Sequence, residues 1–73
     1  MAKIDVESEV TGNVWKVLLE VGAQVAVGDV IMILESMKME IPVEATAAGS
    51  LTEILVKPED QVEEDQVVAR IDG

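Results

Sequence analysis

Short apolar stretches, each followed by turn-forming residues, run along the chain. The first, Lys3–Glu7, alternates polar and apolar side chains, which is typical of a strand with one buried face. Further strands are predicted at residues 14–21, 30–34, 40–44, 51–56 and 67–71. Pro42 has no N–H group to donate to a sheet, so an edge or irregular position is predicted for it. Because no segment of helical length carries an apolar stripe with caps, the pattern predicts an all-β barrel or sandwich of about seven or eight short strands.

The two halves of the chain repeat each other at an offset of 37 positions (49 − 12), which places Gly12 on Gly49. The match is identical where Gln24-Val25 falls on Gln61-Val62. Other apolar pairs are Val14 with Leu51, Val17 with Ile54, Leu18 with Leu55, Leu19 with Val56, Val30 with Val67, Ile31 with Val68, and Leu34 with Ile71. Two copies are too few for a solenoid. The repeat therefore predicts two similar units that close around one shared core.

Lys38 stands near the join between the two repeats, in the segment Glu35-Ser36-Met37-Lys38-Met39-Glu40. Residues 34–35 and 40–41 are predicted to pair across a hairpin, which leaves residues 36–39 as a tight turn. A turn tip is exposed and accessible to partners, and a lysine offers an amine on a flexible stem. Because this amine is almost entirely protonated at neutral pH, its modification requires an enzyme that delivers an activated acyl group.

Met37 and Met39 are unusual residues for a turn, since turns favour Gly, Asn, Asp and Pro. Methionine is flexible and polarizable, so it adapts well to a partner surface. Departures from local rules of this kind tend to mark function. The alternative is that both methionines belong to the core and that Lys38 is an ordinary solvated lysine. The position of Lys38 between the repeats favours the functional interpretation.

The composition restricts the chemistry that is available to the chain. Its 73 residues predict one domain, residues 1–73, with a modest core. The absence of Cys removes disulfides and thiolate ligands, and the absence of His removes the usual general base and metal ligand. We therefore predict that the chain has no catalytic residue and no metal site.

The charge balance bears on the partners of the protein. The chain has 15 acidic and 5 basic residues, a net charge of −10, and an acidic surface repels nucleic acid. Its apolar stretches are too short to span a membrane, and residues 1–5 lack the apolar segment of a signal peptide. We therefore expect no nucleic-acid partner, no membrane partner and a cytoplasmic location.

The segment around Lys38 resembles the attachment motif of biotinyl domains, which is usually written Glu-Ala-Met-Lys-Met. The resemblance covers about residues 4–72, with glycine, valine and turn positions of the family matched by Gly12, Val25, Gly28-Asp29, Gly49 and Val62. It implies a flattened all-β barrel-sandwich of two four-stranded antiparallel sheets that are related by a pseudo-two-fold axis.

The same resemblance implies a biotin carrier, either a biotin carboxyl carrier protein or a small single-domain attachment protein. Lys38 would be biotinylated by a biotin protein ligase. The biotin would carry CO2 between the biotin carboxylase and carboxyltransferase sites of an acyl-CoA or pyruvate carboxylase, and the carrier itself would not be catalytic. The candidate ligase-recognition residues are Glu35, Ser36, Met37, Met39 and Glu40.

Several positions depart from the family pattern. Ser36 replaces the usual Ala, a small change that ligase recognition is expected to survive. Glu59 and Asp65 replace the glycines that Gly22 and Gly28 provide in the first half, which places the geometry of the second-half turns in question. The chain has no insertion between residues 14 and 25, so the protruding thumb of some bacterial carriers is predicted to be absent.

Three other functions remain open on the sequence, and the least favoured is a free-standing enzyme that would use Glu35 and Glu40 as paired carboxylates around Lys38. Lipoyl carrier domains share the fold, but their motif resembles Asp-Lys-Ala. An unmodified interaction module on the same barrel is the third alternative. Trp15 is the only aromatic residue and pairs with Thr52 in the repeat. We expect Trp15 to lie in the core, the alternative being that it docks a partner.

Overall fold

The computed structural model describes residues 3–73, and all regular structure in that range is β-strand. Met1 and Ala2, which the predicted domain of residues 1–73 includes, lie outside the described residues. The strands are β1 (Lys3–Glu7), β2 (Gly12–Val17), β3 (Gln24–Val25), β4 (Val30–Ser36), β5 (Met39–Glu44), β6 (Gly49–Ile54), β7 (Gln61–Val62) and β8 (Val67–Asp72).

The strands form two antiparallel sheets, and each sheet takes strands from both halves of the chain. One has the order β1-β8-β6-β3 and the other β5-β4-β2-β7. Exchanging each strand for its repeat mate (β1 with β5, β2 with β6, β3 with β7 and β4 with β8) converts one sheet order into the other, which is the pseudo-two-fold relation that the family resemblance implied. The predicted fold is therefore confirmed. Pro42 lies on β5 at a sheet edge, as expected.

Buried side chains from the two halves meet between the sheets in matched positions. Apolar repeat mates that are both buried are Val6 and Val43, Val14 and Leu51, Val25 and Val62, Ile31 and Val68, Met32 and Ala69, and Leu34 and Ile71. Full burial of a Val, Leu or Ile side chain stabilises a fold by about 1.5–3 kcal/mol. The repeat is thus the means by which a short chain builds one continuous core.

Two predicted strands end earlier than the apolar pattern suggested. The strand predicted at 14–21 ends at Val17, and the strand predicted at 51–56 ends at Ile54. The next residues, Leu18 and Leu55, donate their backbone N–H groups to the carbonyls of Ile31 and Val68, and the chain then leaves the sheet. Both leucine side chains are exposed. Their apolar character therefore did not indicate that the strands continue through these positions.

The turns of the second half keep the geometry of the first half without its glycines. Glu59 has a φ of 77° where Gly22 has 100°, and Asp65 has 70° where Gly28 has 94°. The backbone N–H of Gly22 donates to Leu51 at 2.7 Å, and that of Glu59 donates to Val14 at 2.8 Å. Long-range hydrogen bonds therefore hold these turns in shape despite the strain of a positive φ.

The connection from β2 to β3 is as short as its repeat mate from β6 to β7, at residues 18–23 and 55–60. No strand or helix interrupts it, in agreement with the predicted absence of a thumb. Within residues 3–73, no helix is long and apolar enough to cross a membrane.

Candidate functional site

Lys38 lies at the tip of the β4–β5 hairpin. Ser36 pairs with Met39, Glu35 with Glu40, and Leu34 with Ile41, so the predicted pairing is confirmed. Met37 and Lys38 alone close the loop, with φ values of 52° and 66°. Two central residues with positive φ define a type I′ turn, whose twist matches that of the flanking strands.

Met37 and Lys38 are not the residues that this turn type favours. Type I′ turns favour Asn-Gly, whereas a non-glycine residue with positive φ carries strain of about 1 kcal/mol or more. The Met37 side chain is 92% exposed, so packing does not compensate for this strain. The strained tip presents Lys38 outward, which supports a role in function over a role in stability.

The side chains at the tip face solvent. Met39 is 64% exposed, and Lys38 is also exposed. The alternative that both methionines belong to the core is therefore wrong. Among the ion pairs of residues 3–73, none involves Lys38. The amine is consequently accessible to a partner enzyme.

The base of the hairpin is held by contacts from β2 and the loop before it. The hydroxyl of Ser36 donates to the carbonyl of Thr11 at 2.8 Å, and the hydroxyl of Thr11 accepts from the backbone N–H of Glu64 at 3.2 Å. Gly12 lies directly under β4, where an added Cβ would overlap the carbonyl oxygen of Glu35. Ser36 thus gives the hairpin a contact that the alanine of the usual motif could not.

Two carboxylates flank the base of the turn. Glu35 and Glu40 are directly opposite each other across the hairpin, and both are exposed. Like charges in this arrangement destabilise a sheet. Within residues 3–73, neither carboxylate forms an ion pair that would offset the repulsion. The arrangement places two exposed negative charges at the base of the turn that carries Lys38.

Trp15 is 42% exposed, so the prediction that it lies in the core is wrong. A β-bulge between Val14 and Lys16 leaves Trp15 without a pairing partner on β4, while Val14 keeps the core position. The Nζ atom of Lys16 lies 4.5 Å from the centroid of the indole ring, within the range of a cation–π contact. The small polar repeat mate, Thr52, was the sequence signal for exposure.

A shallow cavity of about 350 Å³ adjoins the hairpin. Asn13, Val14, Trp15, Glu35 and Glu59 line it. Glu35 belongs to the hairpin and Asn13 is its partner on β2, so the cavity lies on the same sheet as Lys38. Sequence reasoning connected neither Trp15 nor Glu59 with the lysine.

The other polar side chains of residues 3–73 form no metal site, and those around Arg70 form hydrogen bonds within the protein. Within residues 3–73, no group of three or more His, Cys, Asp or Glu residues could hold a metal ion. On the outer face of the other sheet, Arg70 bonds Asp5 at 2.9 Å and Glu53 at 2.7 Å. These hydrogen bonds, that to Asp5 first, raise the pKa of the Arg70 guanidinium above its ordinary value.

Comparison with known proteins places the chain in a family. The profile of the Biotin_lipoyl family, described as "Biotin-requiring enzyme", matches residues 3–71. The biotinylated protein TB7.3 homolog of Mycobacterium leprae is 40% identical over 92% of this chain and 94% of its own length. The biotin/lipoyl attachment protein of Bacillus subtilis is 41% identical over 90% of each chain. The crystal structure of Kluyveromyces lactis urea carboxylase matches with a TM-score of 0.92 and 41% identity, over 97% of this chain and 6% of that one.

Proposed function

This chain belongs to the biotin/lipoyl attachment family and is homologous to the biotin carrier domains of carboxylases, and from this premise we propose that Lys38 is the residue that carries biotin. The predicted family, fold and biotin cofactor are confirmed. The observation that carries the proposal is the exposed Lys38 amine on a strained two-residue turn, between two repeats that otherwise serve the core.

The residues at the tip fit an attached group. The Lys38 side chain extends from a turn that the Ser36 to Thr11 hydrogen bond fixes, so the arm moves while its base stays in place. Attachment would form an amide between Nζ and the biotin carboxyl group, with the overall loss of one water at the expense of ATP. When bound, biotin supplies a ureido nitrogen that can accept CO2 and release it at a second site.

A biotin protein ligase is the proposed modifying partner. Met37 and Met39 offer it an adaptable apolar surface on each side of the lysine. Glu35 and Glu40 offer charge that a basic ligase surface would complement. Ser36 is turned towards Thr11 and would act by positioning the turn. Together these five residues form the proposed recognition set.

The proposed later partners are a biotin carboxylase and a carboxyltransferase of a biotin-dependent carboxylase. Tethering raises the local concentration of biotin at both sites without new contacts. The protein would supply attachment and orientation, while the cofactor and the partner enzymes supply the chemistry. We propose that residues 1–73 act as one non-catalytic domain in the cytoplasm, without nucleic-acid or membrane partners.

The test is intact-mass analysis after incubation with biotin, ATP and a biotin protein ligase. We expect a gain of one biotin less one water, and no gain in the matched variant Lys38→Arg, which keeps the charge but removes the acceptor amine. A gain that persists in Lys38→Arg would contradict the assignment of the site.

A lipoyl carrier is the second candidate, since the Bacillus subtilis relative is named a biotin/lipoyl attachment protein. Parallel incubation with lipoate, ATP and a lipoate ligase distinguishes the two. Modification by lipoate alone would replace the biotin proposal. Modification by neither would favour an unmodified interaction module.

A further inference from the structure

We propose that the cavity beside Trp15 binds the head group of the biotin on Lys38 and so holds the arm against its own domain between encounters with partners. This inference rests on the proposed biotinylation of Lys38. The ligand is a fused bicycle with an apolar thioether ring and a ureido ring. The ureido ring has two N–H donors and one carbonyl acceptor. The cavity offers the complement of each part.

The cavity is within reach of the arm. Glu35, which lines it, lies three positions (38 − 35) before the lysine. At about 3.3 Å per strand residue, this separation is at most roughly 10 Å, since β4 ends at Ser36 and the chain then turns. A lysine side chain extended by the valeryl chain of biotin has about 11 bonds between Cα and the biotin ring, and it spans roughly 14 Å when extended, at single-bond lengths of about 1.5 Å. An arm directed down the outer face of the sheet therefore brings its head group to the cavity.

The lining matches the chemistry of the head group. The exposed indole of Trp15 gives the thioether ring an apolar surface. The carboxylates of Glu35 and Glu59 can accept from the two ureido N–H groups in charge-assisted hydrogen bonds. The amide of Asn13 can donate to the ureido carbonyl.

These polar groups are available to a ligand. Within residues 3–73, the side chains of Asn13, Glu35 and Glu59 form no hydrogen bond and no ion pair with the protein. By contrast, the neighbouring Thr11 and Ser36 are both engaged with the protein. A ligand in the cavity would therefore not compete with existing side-chain hydrogen bonds.

Comparing the cavity residues with their repeat mates shows which side chains the fold itself requires. The mates of Asn13, Trp15, Glu35 and Glu59 are Ser50, Thr52, Asp72 and Gly22. At the mate of the Trp15 bulge, Thr52 donates to the carbonyl of Arg70 at 3.3 Å, and Ser50 accepts from Gln24 at 2.8 Å. The same framework thus forms with small, internally bonded side chains. The exposed indole and the polar side chains without hydrogen bonds therefore occur beside the β4–β5 hairpin and not at the equivalent position of the other sheet.

Weak intrinsic binding is enough for such a site. A short flexible tether gives an effective concentration in the millimolar range, so a dissociation constant of similar size leaves the cavity occupied about half of the time. A partner that binds the arm more tightly shifts this equilibrium and releases the head group. The cavity would therefore restrain the arm without blocking its transfer.

Trp15 fluorescence is a direct readout, because the chain has one Trp and no Tyr or Phe. Unmodified and fully biotinylated protein, with the modification verified by mass, are compared by emission wavelength and acrylamide quenching. We expect a blue shift and roughly two-fold weaker quenching at half occupancy. Unchanged values in mass-verified biotinylated protein would overturn the cavity proposal alone, whereas failure to gain mass would overturn the proposed function.

The matched control moves the indole to the equivalent bulge of the other sheet, in the double variant Trp15→Thr with Thr52→Trp. Its fluorescence should not respond to biotinylation, and an equal response would overturn the assignment to this cavity. Should this variant fail to fold, NMR of the original chain decides. Cross-peaks between the indole and biotin-ring protons are expected, and their absence would overturn the proposal.

Discussion

At the scale of single residues, the hairpin depends on close contacts below Lys38. Gly12 is required for steric reasons, since a Cβ there would overlap the carbonyl of Glu35 and lie 3.1 Å from the Cβ of Ser36. Ser36 contributes more modestly, through one exposed hydrogen bond to Thr11. The two residues therefore support the same turn with different strengths.

Gly12→Ala should destabilise the domain by about 2 kcal/mol, because the obstructing atoms belong to backbone that cannot move away freely. Ser36→Ala should reduce stability by no more than about 1 kcal/mol, the net value of one hydrogen bond. Urea unfolding measures both changes. Equal losses in the two variants would contradict the argument that the steric requirement at Gly12 outweighs the hydrogen bond of the Ser36 hydroxyl.

At the scale of elements, two turns of the first half have counterparts in the second half with positive φ at the same position but with different residues. Gly22 and Glu59 both adopt positive φ and donate to the equivalent carbonyls of Leu51 and Val14. Glycine adopts this conformation without steric penalty, whereas glutamate adopts it only because the surrounding hydrogen bonds impose it. The second half therefore retains local strain that the first half avoids.

Glu59→Gly should stabilise the domain by up to about 1 kcal/mol, since relief of strain exceeds the added flexibility of the unfolded chain. The matched variant Gly22→Ala should lower stability by about 1–2 kcal/mol. Its Cβ would meet no atom within 4 Å, so the effect would be purely conformational. Both are measured as the free energy of unfolding in urea, and a loss of stability in Glu59→Gly would contradict the strain argument.

At the scale of the whole molecule, the charge is unevenly compensated. The net charge is −10, and Arg70 offsets two carboxylates on the outer face of one sheet. Because the pKa of Arg70 is raised in the folded state, its stabilising effect is present throughout the neutral range and is lost only when the pH rises through that pKa. Asp60 pairs with Lys57. Most of the other acidic side chains of residues 3–73 form no ion pair, and they repel one another across the surface.

Stability should consequently rise with salt, because screening weakens the repulsion within a highly acidic domain. Thermal unfolding at low and high NaCl concentration measures the effect. Arg70→Gln should unfold at a lower temperature and respond more strongly to salt, since Asp5 and Glu53 then lose their shared cation. A salt response that is unchanged in Arg70→Gln would show that this cluster does not contribute to it.

The sequence by itself determined the all-β class, the pairing of β4 with β5 and the exposed position of Lys38. These features follow from signals in the sequence: the alternation along Lys3–Glu7, the apolar matches at an offset of 37 positions (49 − 12), and the short segment of residues 36–39 between two predicted strands. Each signal is carried by neighbouring residues or by direct repetition. For that reason each can be identified without coordinates.

Only the tertiary structure decided the positions of Trp15, Ser36 and Glu59. Trp15 faces solvent because β2 bulges against β4, and Ser36 bonds a residue 25 positions away. Glu59 reaches the cavity because its turn bonds to Val14 in the other repeat. Such contacts join segments that are distant in sequence, so they depend on the sheet register and the packing of the two repeats, which no local pattern of residues specifies.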